Sequence, residues 1–344
     1  MPLWGPEGTY PGGGTVKRSA PARKSQTKSA TAVKPPPKSS TIEIVSADSS
    51  RLNAQWWRAT APSPKTVVLL VHGVHQSSAL YRPGGPSQLV RRLNAEAPAD
   101  VLGVDLRGFG RSAGTYNVRN FELFLQDIRA ALRVADARAK ELGARVVYFG
   151  HSLGGLLGAA LACDASPPEE VAAYILSAPT VDHAVGPAAR AVVSLVARCV
   201  PGLALGSLGG GGDSNNPAYA KELRELARSR GDDGLPFKAR YVAAAFDLIG
   251  RLKPNFGRFH RPLLVLSGPP PPSTGRGPPG RVGFDLHYAG VASMASAVRA
   301  AAVVPVELVE VPDAPHELVF EPDVNASVDR IVRFCADVSA AARN

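Results

Sequence analysis

Short, uninterrupted apolar runs alternate with longer amphipathic segments over most of this chain. Such runs are typical of strands buried on both faces, and apolar positions three and four residues apart are typical of helices. Strands that alternate with helices predict an α/β fold with a mostly parallel central sheet flanked by helices. The predicted strands are residues 66–73, 101–106, 145–150, 171–177, 262–268 and 306–312, preceded by an antiparallel hairpin at 41–46 and 51–59. The predicted helices are residues 119–142, 153–163 and 324–341.

One long segment, residues 181–260, interrupts this alternation. It contains two stretches of helical spacing, at 186–200 and 241–252. Long insertions that carry their own helices commonly cover an active site. We therefore predict a helical lid here, inserted between a first part of the core at 42–180 and a second part at 261–344.

The net charge of +10 is concentrated at the N-terminus. Residues 1–41 contain seven basic residues and one acidic residue, and they are rich in Pro, Gly and Ser. This stretch has too little apolar surface to offset the entropy lost on ordering, so we predict a disordered basic tail. A nucleic-acid-binding domain would carry its charge on a folded face, so we expect no nucleic-acid partner.

Cysteine usage and hydropathy bear on the location of the protein. The three cysteines are far apart and odd in number, which favours a reducing compartment over a disulfide framework. No apolar run reaches about 18 residues, and the N-terminus lacks the apolar core of a signal peptide. We expect a cytoplasmic protein. The acid-poor tail leaves two alternatives open, namely an organelle transit segment and electrostatic attachment to a membrane surface.

The strongest chemical signal is the sequence Gly-His-Ser-Leu-Gly at residues 150–154. It follows a predicted strand and precedes a predicted helix, which is the context of the G-x-S-x-G nucleophile turn. Small residues on both sides of Ser152 allow a sharp turn, and the following helix directs its positive end toward developing negative charge. We interpret Ser152 as a nucleophile. The alternative is a glycine-rich turn that only packs a helix.

A serine nucleophile requires a general base, and His316 is the candidate. It follows the last predicted strand, where a loop can carry it over the sheet edge to the serine. His151 lies within the turn itself, and His72 directly follows the apolar run at 67–71, so we interpret both as structural. The remaining histidines lie in predicted loops or in the lid; they are His75, His183, His260 and His287.

Acyl transfer also requires N–H donors for the oxyanion. One donor is expected from the residue after the nucleophile, which is Leu153. The other is expected from the loop after the third strand, where His72 and Gly73 bring the backbone close, and we assign the N–H of Val74. The alternative for this loop is an ordinary glycine-containing turn.

Four motifs together resemble the α/β-hydrolase fold: "LLVHGVHQSS", "DLRGFGRSAG", "GHSLGG" and "APHELVFEPD". More closely, they resemble its monoacylglycerol lipase and lysophospholipase-like branch, also grouped as serine aminopeptidase S33-type hydrolases. The resemblance covers residues from about 42 to 344. It implies Ser152 as nucleophile, His316 as base, and oxyanion donors at Val74 and Leu153. Glu317 and Glu321 match the C-terminal signature of the family.

The chain departs from the family at the acid of the triad. The family places this acid shortly after the strand that corresponds to residues 262–268, where this chain has a Pro/Gly-rich run without a carboxylate. We interpret residues 269–282 as an inserted loop, after which Asp285 precedes an apparent helix and serves as the acid. Two alternatives stay open: Asp182, which follows another strand, and the absence of a functional acid because the run is mistranslated.

The resemblance implies a serine hydrolase that cleaves carboxylic esters of lipid-like substrates, such as monoacylglycerols or lysophospholipids, through a Ser-His-Asp triad and an acyl-enzyme. This chemistry requires no metal or organic cofactor. The lid would contribute an apolar channel and a peripheral contact with a membrane. The alternatives are an esterase, thioesterase or peptidase with a non-lipid acyl substrate, and a catalytically silent binding protein.

Overall fold

The computed structural model describes residues 39–182, 185–206, 214–230, 236–270, 288–312, 314–321 and 325–341. Within these residues, eight strands form one sheet in the order β1-β2-β4-β3-β5-β6-β7-β8. The strands are Ser39–Val45 (β1), Arg51–Trp57 (β2), Thr66–Val71 (β3), Ala99–Val104 (β4), Arg145–His151 (β5), Val171–Ser177 (β6), Leu263–Ser267 (β7) and Val306–Glu310 (β8).

The sheet is parallel except at one edge. β1 pairs antiparallel with β2, and β2 pairs antiparallel with β4; each further pair is parallel. All residues of β3 and β4 are buried, which explains their uninterrupted apolar sequences. Alternate residues of β3 enter separate apolar cores, with Leu69 in one core and Leu70 in the other. The predicted α/β architecture is confirmed.

Helices cover both faces of the sheet. One face carries α2, α3 and α7, and the other carries α1 and α8. The predicted helices are confirmed to within a few residues; α1 was not predicted, because its eight residues give too short a periodic pattern. The helices are Leu89–Glu96 (α1), Glu122–Leu142 (α2), Leu153–Ala162 (α3), Pro187–Cys199 (α4), Pro217–Ser229 (α5), Ala239–Leu252 (α6), Tyr288–Ala301 (α7) and Asn325–Ala340 (α8).

Helices α4, α5 and α6 lie between β6 and β7. The sequence pattern predicts α4 and α6 but not α5, in which five of the thirteen residues are charged. The start of α5 has a local cause, because the Asn216 side chain accepts hydrogen bonds from the N–H groups of Ala218 and Tyr219, and Pro217 occupies the first helical position. Within the described residues, no helix is both long and apolar enough to cross a lipid bilayer.

The N-terminal boundary of the sheet differs from the prediction. β1 begins at Ser39, so the last three residues of the predicted tail at 1–41 belong to a strand. They are ordered because they pair with β2, where Ser39 lies opposite Trp57 and Thr41 opposite Gln55. Hydrogen bonds to a neighbouring strand thus order polar residues that their own composition would leave unstructured. Residues 1–38 lie outside the described residues.

The loop after β4 is held by buried charges. Arg107 is 5% exposed, and its guanidinium lies 2.6 Å from the carboxylate of Asp127 on α2. A second carboxylate, that of Asp48, lies 2.7 Å from the same guanidinium. These ion pairs raise the pKa of Arg107 further above its usual value, although burial opposes this. The loop is therefore a structural element that fixes the hairpin against α2.

We expect Asp127→Asn to lower the free energy of unfolding by about 3 kcal/mol, because it leaves a buried guanidinium with reduced compensation. Urea denaturation monitored by circular dichroism measures this change. Asp247→Asn is the matched control, because it breaks an exposed ion pair with Arg251. It should change the free energy of unfolding by less than about 0.5 kcal/mol. Equal effects of the two substitutions would contradict a structural role for the buried pair.

Candidate active site

Ser152 lies on a strained turn between β5 and α3. Its backbone angles are φ 51° and ψ −109°, which side chains with a Cβ rarely adopt. The flanking glycines permit the turn because the neighbouring backbone lies too close to leave room for a Cβ atom at either position. A Cβ on Gly150 would lie 2.3 Å from the carbonyl oxygen of Gly154, and one on Gly154 would lie 2.3 Å from that of Val71. The small residues of the motif are therefore required by the packing.

The structure brings His316 to Ser152. Its Nε2 atom lies 2.8 Å from Ser152 Oγ, although the two residues are 164 positions apart. His316 belongs to the loop after β8, and Ser152 follows β5; both loops lie at the carboxyl edge of the parallel strands. Ser152 is 7% exposed, and His316 is half-buried. A serine hydroxyl in this position can donate its proton to the imidazole.

Thr180 also contacts the nucleophile candidate and is absent from the sequence-based prediction. Its Oγ1 atom lies 3.2 Å from Ser152 Oγ, and its N–H donates to the Ser152 carbonyl over 3.3 Å. Thr180 follows β6, the neighbour of β5 in the sheet. A polar residue shortly after an adjacent parallel strand was the one signal that could have indicated it.

The loop after β3 packs against the turn. A Cβ on Gly73 would lie 3.1 Å from His151 Cδ2 and 3.2 Å from Ser152 Cβ, so this loop comes as close as a glycine allows. Val74, the predicted oxyanion donor, is the next residue. Leu153, the other predicted donor, is the first residue of α3 and is buried. The structure thus brings both predicted donor segments next to Ser152.

The predicted acid cannot be placed in the same way. Asp285 and residues 271–282 of the predicted loop lie outside the described residues. The helix expected after Asp285 is present as α7. The alternative acid, Asp182, is engaged elsewhere, because its Oδ1 atom lies 2.6 Å from the ammonium group of Lys253.

The histidines near the site have different environments. His72 Nε2 accepts a hydrogen bond from the Leu106 N–H at 3.0 Å, and burial lowers the pKa of His72 to about 4, so it is neutral and structural. Burial, together with the nearby Arg230, also lowers the pKa of His75 to about 4. His151 lies with Nε2 2.9 Å from a carboxylate oxygen of Glu317.

Aromatic rings surround His75, which follows Val74 in the chain. The centroid of the His75 ring lies 5.1 Å from that of Phe237 and 5.5 Å from that of Tyr116. Phe237 in turn stacks on Tyr241 of α6, at 4.9 Å. The loop after β3 therefore faces an apolar, aromatic environment that extends to the helices between β6 and β7.

Comparison with known proteins agrees with this architecture. Residues 62–323 match the model of the family Hydrolase_4, described as serine aminopeptidase, S33. A monoacylglycerol lipase of Paleococcus ferrophilus is 22% identical with a TM-score of 0.60, and 83% of this chain and 99% of that chain are covered. A soluble variant of the monoglyceride lipase of Saccharomyces cerevisiae, solved with a substrate analog, is 17% identical with a TM-score of 0.65, covering 88% and 95%.

A third similar structure is a thermostable carboxyl esterase of Bacillus coagulans in complex with glycerol. It is 13% identical with a TM-score of 0.62, and 88% of this chain and 99% of that chain are covered. These identities establish the common fold, and the family match extends over most of the chain. The chain belongs to the serine aminopeptidase S33 family, and it is a hydrolase of the α/β-hydrolase superfamily.

Proposed function

We propose that this chain is a serine hydrolase that cleaves carboxylic esters of lipid-like substrates, monoacylglycerols or lysophospholipids. The observation that carries this proposal is the 2.8 Å contact between Ser152 Oγ and His316 Nε2. A serine hydroxyl is a weak nucleophile until a base removes its proton, and this contact supplies the base. The strained backbone at Ser152 holds the hydroxyl at the entrance of α3.

In the acylation step, Ser152 Oγ attacks the carbonyl carbon of the ester while its proton passes to His316 Nε2. The carbonyl electron pair moves onto oxygen, and the N–H groups of Val74 and Leu153 stabilise this oxyanion. When the tetrahedral intermediate collapses, the bond to the alcohol breaks and His316 donates its proton to the leaving oxygen. The product is an ester between Ser152 and the acyl group.

In the deacylation step, His316 removes a proton from water, and the resulting hydroxide attacks the acyl-enzyme carbonyl. The same two N–H groups stabilise the second oxyanion. Collapse returns the proton to Ser152 Oγ and releases the carboxylic acid. These residues and water account for every proton that moves, so the sequence of steps includes no metal or organic cofactor.

Asp285 is the proposed acid that orients His316 and stabilises its protonated form. Two observations support it over Asp182. The helix α7 follows it as expected from the family, and the Asp182 carboxylate is already paired with Lys253 at 2.6 Å. An orienting carboxylate must accept a hydrogen bond from the imidazole, and an ion pair with a lysine competes with that hydrogen bond.

An exposed apolar rim supports a lipid-like substrate. Helix α4 buries none of its residues, and Val192 and Leu195 on it are 60% and 61% exposed. Val200 and two leucines in the following loop continue the rim, which we define as Val192, Leu195, Val200, Leu203 and Leu205. Exposed apolar clusters of this kind mark interaction sites, so we propose that the segment 181–260 is a lid that contacts membrane or micelle surfaces.

A panel of esters tests the proposed function. Purified protein is assayed with monoacylglycerols, lysophospholipids and p-nitrophenyl esters of increasing chain length. We expect hydrolysis of all ester classes, with the highest kcat/KM for the lipid-like members. Preference for short or aryl esters would assign a non-lipid substrate. A folded protein that hydrolyses nothing and does not react with a fluorophosphonate probe would be a binding protein instead.

The contribution of the rim is tested with Leu195→Glu. We expect the apparent KM for micellar monoacylglycerol to rise about tenfold, because the interfacial burial of one leucine is worth roughly 1.5 kcal/mol or more. Hydrolysis of soluble p-nitrophenyl acetate should not change. Val303→Glu is the control, because Val303 is 64% exposed but lies two residues after the end of α7, far from the rim in sequence. If both variants behave alike, the rim has no special role.

A further inference from the structure

A buried polar cluster lies behind the pair of Ser152 and His316. Its central residue is Glu317, which is 7% exposed and directly follows His316. The Oε2 atom of Glu317 lies 2.9 Å from His151 Nε2, and it accepts a hydrogen bond from Gln76 Nε2 at 2.8 Å. The cluster thus joins the loop after β3, the end of β5 and the loop after β8.

The orientation of Gln76 is determined by its neighbours. Its Oε1 atom accepts hydrogen bonds from the Gly73 N–H at 2.9 Å and from the Tyr81 hydroxyl at 3.1 Å. Its Nε2 atom must therefore be the donor, and it donates to Glu317 and, at 2.9 Å, to the Tyr219 hydroxyl. Because Tyr219 belongs to α5, the cluster also includes one helix of the proposed lid.

The charge of Glu317 is maintained by its surroundings. Burial by itself raises the pKa of this carboxyl, but the adjacent His151 and His316, with a hydrogen bond from Tyr219, lower it, and the net pKa lies below its usual value. The other titratable group that faces it is Tyr81, and burial raises the pKa of Tyr81 and Tyr219 well above the usual value. Both tyrosines stay neutral, so Glu317 is the anion of the cluster.

A buried carboxylate is costly, and apolar residues of similar size would often be at least as stabilising. Packing alone therefore does not explain an anion at this position. Its location offers two functions. It holds the loop of Gly73 and Gln76 against the turn, and it places a negative charge close to His316, whose ring centroid is 5.3 Å from that of His151.

We propose that Glu317 is a positioning residue for the hydrolysis. It holds the oxyanion loop, which is the loop after β3 that contains the donor Val74. Its negative charge acts across the His151 ring and favours the imidazolium form of His316. This rests on the proposed function. It assigns the chain a second carboxylate that supports the base, separate from the orienting acid. No proton is transferred to Glu317; it acts through its hydrogen bonds and its charge.

The test is Glu317→Gln in the full chain, assayed with p-nitrophenyl acetate from pH 5 to 9. We expect kcat to fall by about 10- to 100-fold and KM to change by less than about twofold, because the oxyanion loop loses its position while ground-state binding is kept. Removal of a negative charge disfavours the imidazolium, so His316 loses its proton at lower pH. The acidic limb of the rate profile should move down by about 0.5 to 1 pH unit.

Two further variants separate position from charge. Glu317→Asp keeps the charge but shortens the side chain, so kcat should fall while the acidic limb stays in place. Glu321→Gln is the control, because this carboxylate binds Ser214 Oγ at 2.6 Å and the Asn215 N–H at 3.0 Å. It should leave both quantities unchanged. If Glu317→Gln does not fold, an unchanged kcat in Glu317→Asp overturns the proposal by itself.

An activity-independent measurement distinguishes this proposal from the proposed function. The His316 ring proton is titrated by NMR, with His316→Gln used for assignment. A lower midpoint in Glu317→Gln than in the unaltered chain supports the charge effect even if no ester is hydrolysed. An unshifted midpoint would overturn the electrostatic part of the proposal. Failure of the unaltered chain to react with any ester or fluorophosphonate concerns the proposed function alone.

Discussion

Ser152→Ala should reduce ester hydrolysis by at least about 10⁴-fold, because without the hydroxyl no acyl-enzyme can form. Ser152 Oγ is the atom that lies 2.8 Å from His316 Nε2. A water molecule in its place could attack the ester directly, but it could not form a covalent intermediate with the protein. Reaction with a fluorophosphonate probe, which modifies an activated serine, should disappear. Both losses are measured on the same preparation, with the initial rate of p-nitrophenyl ester hydrolysis and with in-gel labelling.

The fold should survive this substitution. Ser152 contributes its hydroxyl contacts with His316 and Thr180, and the alanine keeps the Cβ and the packing of the turn. Thr180→Val is the matched control, because it removes the other hydroxyl contact of Ser152 Oγ. It should lower kcat only about 3- to 10-fold, the value of one neutral hydrogen bond. Equal losses in both variants would argue that the site is disrupted generally and would contradict the assignment of Ser152.

Asp285→Asn should reduce kcat by at least about 10³-fold and leave the thermal unfolding curve unchanged. An orienting carboxylate holds the imidazole in the tautomer that accepts the serine proton, and it stabilises the imidazolium that forms. An asparagine can keep the geometry but supplies neither the charge nor the correct acceptor pattern. The loss should appear in kcat more than in KM, since the acid does not contact the substrate.

Asp182→Asn is the comparison that decides between the candidate acids. Its carboxylate is paired with Lys253 at 2.6 Å, and its side chain is 32% exposed. We expect kcat to change by less than about threefold, because a partly exposed ion pair contributes little. The reverse result, with a large loss in Asp182→Asn and near-normal turnover in Asp285→Asn, would reassign the acid. Normal turnover in both variants would show that hydrolysis here proceeds without either carboxylate.

The local sequence contained most of the information for the sheet and for the turn that carries Ser152. A strand buried on both faces requires an uninterrupted apolar run, and β3 and β5 have such runs. The turn requires small residues within a few positions of the serine, and Gly150 and Gly154 satisfy this. Both requirements are short-range, so they can be read without knowledge of which segments meet.

The partner of Ser152 could be proposed because parallel strands end at a common edge. His316 follows the last predicted strand, and this topological rule, together with the resemblance to the family, selected it among the seven histidines. The same rule does not indicate which polar residues of neighbouring loops contact the site. Thr180, Gln76 and Glu317 were for this reason not recognised as contacts of the site.

The sequence by itself determined the strands, most of the helices, the turn that carries Ser152 and the pair of candidate residues, because each depends on local periodicity or on a spacing rule. The tertiary structure alone decided that Glu317 contacts His151 and Gln76 and that Asp182 pairs with Lys253. It also decided that Val192 and Leu195 of α4 are exposed. These contacts join segments more than 70 residues apart or depend on what covers a helix. These contacts form only when several loops come together at the same edge of the sheet, and no single stretch of sequence shows which loops will do so.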